Sequence, residues 1–194
     1  MTAISGMMGR RALRTTLAVG AVSLGLAGLT ACERPTPNAH FTLGSSTSSP
    51  ETASDCYGHD DPLGVERAQE CLEHTDDAPS FTSQRGETFR VGVDPSIAEH
   101  GWLLFVNGET RSVDPYTTTF QNFPVDDLHA MSQADPFGEE EEDEGITVSV
   151  VKLTGDYDSE ELMAAYQAQD EDAFNEALYG RFEGVWNARL EPGN

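Results

Sequence analysis

Residues 102–108 constrain the fold more than any other stretch. Trp102 to Val106 is an unbroken apolar run, of strand length and too short for a typical helix. Asn107 and Gly108 follow at once. Both residue types tolerate the positive φ of a two-residue type I′ turn, so a hairpin is expected here, with 110–113 as the returning strand. Upstream, Phe89, Val91 and Val93 alternate with Thr88, Arg90 and Gly92, the period-two signature of a half-buried strand. Segments 39–43, 116–120, 146–153 and 185–190 read as further strands. Asp94-Pro95 marks a helix start of about one turn, with proline at the first helical position. Asp114-Pro115 marks another turn, and 75–84 reads as a loop. Short strands at this spacing predict a mainly β domain, an immunoglobulin-like β-sandwich.

One insertion breaks the rhythm. Asp158, Ser159, Glu160 and Glu161 have the order of a capping box, with Asp158 as the cap. Leu162, Ala165, Tyr166 and Ala173 fall near one helical face, Phe174 and Leu178 sit four apart, and Gly180 is read as the stop. One inserted helix, or a broken pair, is predicted over about 159–179. Residues 65–73, which carry Cys71, are read as a helical turn.

The N-terminus has the three parts of an export signal. Arg10, Arg11 and Arg14 form a positive cluster. Residues 17–29 form an apolar core of about 13 residues, short of the roughly 20 that span a bilayer as a helix. Leu29-Thr30-Ala31-Cys32 then resembles a lipobox, the L-x-x-C signal of bacterial lipoproteins. That likeness implies a signal peptide over 1–31, cleavage before Cys32, and a diacylglycerol (palmitate-type) anchor on Cys32. Two acyl chains hold stably where one is marginal, each buried methylene contributing about 0.8 kcal/mol. A tether over 32–38 would join the lipid to a single domain, 39–194. The implied location is the extracytoplasmic face of the cell membrane. Arg10-Arg11-Ala12-Leu13 loosely resembles a twin-arginine signal, so Sec and twin-arginine export both stay open.

Lipidation of Cys32 leaves Cys56 and Cys71 among the three cysteines. An oxidising compartment favours a disulfide between them. A loop of about 15 residues closed this way gains about 3 kcal/mol in the chain-entropy model. A metal or redox pair is the alternative, although no C-x-x-C is present.

Loss of residues 1–31 removes three arginines and no acid, which leaves eight basic against 34 acidic side chains, a formal −26. Such charge disfavours nucleic acid and anionic lipid as partners. It suits cations, a basic protein of the cell envelope, or solubility alone. Lys152 is the only lysine, beside ten arginines.

Several segments together resemble an uncharacterised family of actinobacterial lipoproteins. They are the lipobox, the Cys56 and Cys71 pair, Gly86 to Val93, and the run Val93-Asp94-Pro95-Ser96-Ile97-Ala98-Glu99-His100-Gly101-Trp102. Arg111-Ser112 and the closing Gly184-Val185-Trp186 complete the set. The likeness covers about two thirds of the mature chain. It implies location and a small β-sandwich and carries no activity. The acidic run and the 159–179 insertion have no counterpart in it.

Candidate chemistry is sparse. Glu139, Glu140, Glu141, Glu142, Asp143 and Glu144 form an acidic run inside an acidic loop, 132–145. Six adjacent carboxylates repel and stay solvated. Calcium needs six to eight converging oxygens, which a contiguous run does not specify. Asp156, Asp158, Glu160 and Glu161 are explained by helix capping and the helix dipole. Asp55, His59, Asp60, Asp61 and His74 surround the cystine loop without a zinc-ligand spacing. His40, His59, His74, His100 and His129 sit in no nucleophile or metalloprotease motif. Trp102, Trp186, Phe89 and Phe105 are expected in the core, and Tyr57 is undecided. The expectation is a non-catalytic lipoprotein with no metal and no cofactor, acting as an interaction or accessory module. The alternative is a cation- or small-ligand-binding lipoprotein that uses its acidic segments.

Overall fold

The computed structural model describes residues 36–132 and 145–193. The leader, Cys32 and the run 139–144 lie outside the described residues. In chain order the first elements are β1 (Ala39–Leu43), β2 (Ser46–Ser48), α1 (Val65–Glu73), β3 (Ser80–Ser83), β4 (Thr88–Val93), α2 (Pro95–Ala98) and β5 (Trp102–Val106). There follow β6 (Glu109–Thr110), β7 (Phe120–Pro124), α3 (Val125–Ser132), β8 (Ile146–Leu153), α4 (Ser159–Ala168), α5 (Glu171–Leu178), a 3₁₀ turn (Tyr179–Arg181) and β9 (Phe182–Pro192).

The strands form two sheets, ordered β2-β1-β4-β7 and β3-β9-β8-β5-β6. The protein is thus β-rich, as its alternating patterns predict. The sheets face each other across the larger core. Phe41, Phe89, Val91 and Phe123 come from the first sheet, and Trp102, Leu104, Val150 and Trp186 from the second. Each fully buried side chain of this size contributes about 1.5–3 kcal/mol.

A second core lies on the other face of the five-stranded sheet. There Leu103, Phe105, Val151, Leu153 and Phe182 meet Ala68, Cys71 and Leu72 of α1, Leu162 of α4, and Ala177 and Leu178 of α5. This sheet is therefore buried on both faces, which is why β5 reads as continuous apolar residues rather than an alternation. The β5–β6 hairpin turns through Asn107 and Gly108 at φ 48° and 81°, with Val106 opposite Glu109.

Several expectations shift. The strand expected over 116–120 lies four residues on, as β7. Tyr116 instead makes one bridge to Trp102 and lies tilted against its indole, with ring centroids 4.8 Å apart. The indole Nε1–H donates to the Thr118 carbonyl, so this segment caps Trp102 rather than extending a sheet. The loop expected over 75–84 contains β3, which pairs in parallel with the end of β9. The serines of β2 pair with β1. The returning strand β6 is only two residues long. The insertion is two helices, because Gln169 adopts a left-handed conformation (φ 56°) that ends α4, and Asp170 then caps α5.

Candidate functional site

The least expected feature is a buried ion pair. Lys152 and Glu183 are each 3% exposed, and Lys152 Nζ contacts Glu183 Oε1 directly. Local structure explains their meeting. Val148, Val150 and Lys152 alternate on one face of β8. Lys152 pairs with Gly184, but the next residue, Leu153, pairs with Phe182, so Glu183 is the extra residue of a bulge. A bulge re-aims a side chain, and here it brings the carboxylate to the ammonium. Two ions buried together cost several kcal/mol each in desolvation, which their attraction offsets only in good geometry.

Tyr57 covers the pair. Its ring centroid lies 5.7 Å from Lys152 Nζ, with His59 edge-on at 4.8 Å and Trp186 at 6.0 Å. Burial pushes the Tyr57 phenol up, while the Lys152 charge pulls it down. The loop carrying Tyr57 is pinned to the bulge. Tyr57 bridges Gly184, the Gly58 N–H donates to the Glu183 carbonyl at 2.8 Å, and the Leu63 N–H donates to the Phe182 carbonyl at 2.8 Å. His59 and Asp60 hold positive φ (54° and 79°), closed by the Asp61 N–H donating to the Gly58 carbonyl at 3.1 Å. Such conformations cost energy for residues other than glycine and persist where the surroundings impose them. Gly184 is required here. A Cβ on it would lie 2.8 Å from both Tyr57 and Trp186.

A cavity of about 470 Å³ opens beside the cystine. Cys56 and Cys71 form the expected disulfide, with Cα atoms 5.6 Å apart. Glu51, Thr52, Cys56, His74, Asp77 and Asn187 contribute to the wall. Thr52 Oγ1 donates to the Val185 carbonyl at 2.7 Å. Asn187 Nδ2 donates to the carbonyls of Cys71 and His74 at 2.8 and 2.6 Å, which ties the end of α1 to β9. Asn187 Oδ1 and the indole Nε1 of Trp186, another wall residue, are buried without a hydrogen-bond partner.

The third feature is the α4–α5 corner. Tyr166 is 65% exposed and Met163 37% exposed. The sequence places Tyr166 near one helical face with Leu162 and Ala165, which are buried. The break at Gln169 instead leaves it at the corner, tilted against Phe174 at 6.3 Å. A shallow recess there is lined by Ala165, Tyr166, Gln169, Asp170, Glu171 and Phe174.

The other sequence candidates scatter. Asp158 caps α4 by accepting from the Glu160 and Glu161 amides at 2.8 and 3.4 Å. Arg181 pairs with Asp156 at 3.3 Å. A hydrogen bond from Thr154, aided by Arg181, holds the Asp156 carboxyl below its usual range. His40 contacts Ser49 at 2.6 Å, and His129 lies 3.4 Å from Ser83. Among the described residues, no three His, Cys, Asp or Glu side chains converge as a metal site. The four core aromatics are buried as expected, and Tyr57 is half-buried. The pairing of Lys152 with Glu183 was missed. Its available signal was a lone lysine on the strand face otherwise occupied by Ile146, Val148 and Val150. No helix among the described residues is long and apolar enough to cross a membrane. No family model, curated protein or solved structure matches the chain.

Proposed function

We propose that this protein is a lipid-anchored, extracytoplasmic accessory module, non-catalytic, that docks a basic protein partner of the cell envelope through its α4–α5 corner. The observation that carries this reading is Tyr166, an aromatic side chain 65% exposed beside Met163 and rimmed by Asp170 and Glu171. Exposed large apolar groups inside a polar rim mark interaction surfaces, and tyrosine is enriched among residues that dominate binding. Charge supports a basic partner. Five of the seven basic side chains among the described residues are already in ion pairs, Arg67, Arg111, Lys152, Arg181 and Arg189. The acid excess is left for an outside partner. The lipobox and the likeness to actinobacterial lipoproteins support Cys32 as the anchor and the membrane as the location. Two facing sheets support the immunoglobulin-like reading, whereas the local cystine and the parallel β3–β9 pair depart from it.

The test is crosslinking in native membranes, followed by capture and mass spectrometry. Wild type is compared with Tyr166→Ser and with a variant lacking residues 139–144. A neighbour captured by wild type and lost in Tyr166→Ser, at unchanged circular dichroism, is the expected result. A neighbour retained by both variants would remove the corner and the acidic run as the docking surface.

A second reading is a small cationic ligand in the cystine-side cavity. The unpartnered Asn187 Oδ1 acceptor, with Glu51 and Asp77 in the same wall, favours it. Titration calorimetry with Ca²⁺ and with simple alkylammonium ions tests it. No heat and no thermal shift at millimolar concentrations would remove this reading.

A further inference from the structure

We infer that Lys152 and Glu183 are the two halves of an intramolecular amide crosslink, formed by the folded protein within its own core. Four observations lead there. The amine and the carboxyl are in direct contact, and each residue is 3% exposed. Lys152 is the only lysine of the chain, and it is buried, where a lysine sits only with its charge partnered or removed. The register shift in the β8–β9 ladder falls beside Lys152, at Glu183. The loop 57–61 closes over the pair, with two non-glycine residues at positive φ and Gly184 admitting the Tyr57 ring.

The chemistry balances without a co-reactant. A proton passes from the Lys152 ammonium to the Glu183 carboxylate through their contact, giving amine and carboxylic acid. A dry site lowers the cost of this neutral form relative to the separated ions. The Nζ lone pair attacks Glu183 Cδ, and an N–C bond forms. The hydroxyl on Cδ leaves with a proton from Nζ as one water molecule. Nothing is oxidised or reduced, and one positive and one negative charge disappear together. Held at contact in one orientation, the two groups react at an effective concentration far above any in solution. Tyr57 screens the pair from bulk water and so slows the reverse hydrolysis. The product ties two adjacent strands, its ends 31 positions apart in sequence, and so spans the α4–α5 insertion.

Because the chain has a single lysine, trypsin reads the outcome directly. Protein purified from membranes is reduced, alkylated, fully denatured and digested. A free Lys152 gives cleavage into 112–152 and 153–181, with 182–189 as a separate peptide. The expected result is no cleavage at Lys152, and 112–181 joined to 182–189 at a mass lower by one water than their sum. Fragmentation should place the link on Glu183. Lys152→Arg should abolish the joined species. If that variant fails to accumulate, the wild-type digest alone decides. Complete cleavage after Lys152 in wild type would overturn the crosslink and leave an ordinary buried ion pair.

Discussion

Gly184 and Lys152 show how much rests on single side chains. A methyl group at Gly184 meets the Tyr57 and Trp186 rings at 2.8 Å. Gly184→Ala is therefore expected to cost about 1–3 kcal/mol, as overpacking does, measurable as a lower urea midpoint. Lys152→Met leaves the Glu183 carboxyl buried without its partner. Loss of one member of a buried pair costs about 3–5 kcal/mol, whereas an apolar replacement of both is often neutral. Neither Lys152→Met nor the double variant Lys152→Met, Glu183→Leu can form the amide, so the comparison is between those two: the double variant, which leaves no orphaned carboxyl, should unfold at a clearly higher urea midpoint than Lys152→Met. A double variant as unstable as the single would refute this account. The residue types at this cluster were open to inspection, but their meeting was not. It depends on a one-residue bulge between strands, and bulges leave no periodic trace in a sequence.

Elements follow local rules where local rules dominate. β8 forms over the predicted span because Ile146, Val148 and Val150 recur at every second position, with Val151 and Leu153 on the other face. α4 starts after Asp158 because the carboxylate satisfies two orphan amides there. Asp158→Ala should cost about 1 kcal/mol, seen as a lower thermal midpoint, and Asp158→Asn should restore most of it. Of the two alternatives for the insertion, one helix or a broken pair, the pair formed because Gln169 adopts a left-handed conformation, and no glycine or asparagine announces that corner. β3 escaped notice for another reason. Ser80–Ser83 has weak strand character, and its pairing comes from β9, more than a hundred positions away along the chain. The strand expected at 116–120 lost to the surface of Trp102, which Tyr116 covers.

At the scale of the whole molecule, buried phenols set how stability answers to pH. Tyr157 donates to the Val113 carbonyl at 2.6 Å, joining the start of α4 to the segment after β6. Burial first, then the charges of Asp114 and Asp158, pushes its phenol up to about 12 from 10.0. The folded state thus keeps a proton that the unfolded chain gives up. The contribution is fully present below pH 10 and is lost as pH rises toward about 12. Tyr57 and Tyr179 are raised too and act in the same direction. Denaturant midpoints measured from pH 9 to 12 should fall, and less steeply in Tyr157→Phe. For location, Cys32→Ala is expected to release the protein from the membrane fraction into the soluble one. Retention in the membrane would remove the lipid anchor from the proposal.

Strand character, the hairpin at Asn107-Gly108, the Cys56–Cys71 pairing, the Asp158 cap and the buried tryptophans all follow from short-range chemistry. Periodicity, turn residues and cysteine arithmetic act within a few positions of one another. Long-range geometry set the rest. It put two cores on opposite faces of one sheet, ran β3 parallel to β9, left Tyr166 at an exposed corner and brought Lys152 to Glu183. Each of these depends on which surfaces meet after the chain has collapsed, and no local pattern encodes a surface that is assembled from distant segments.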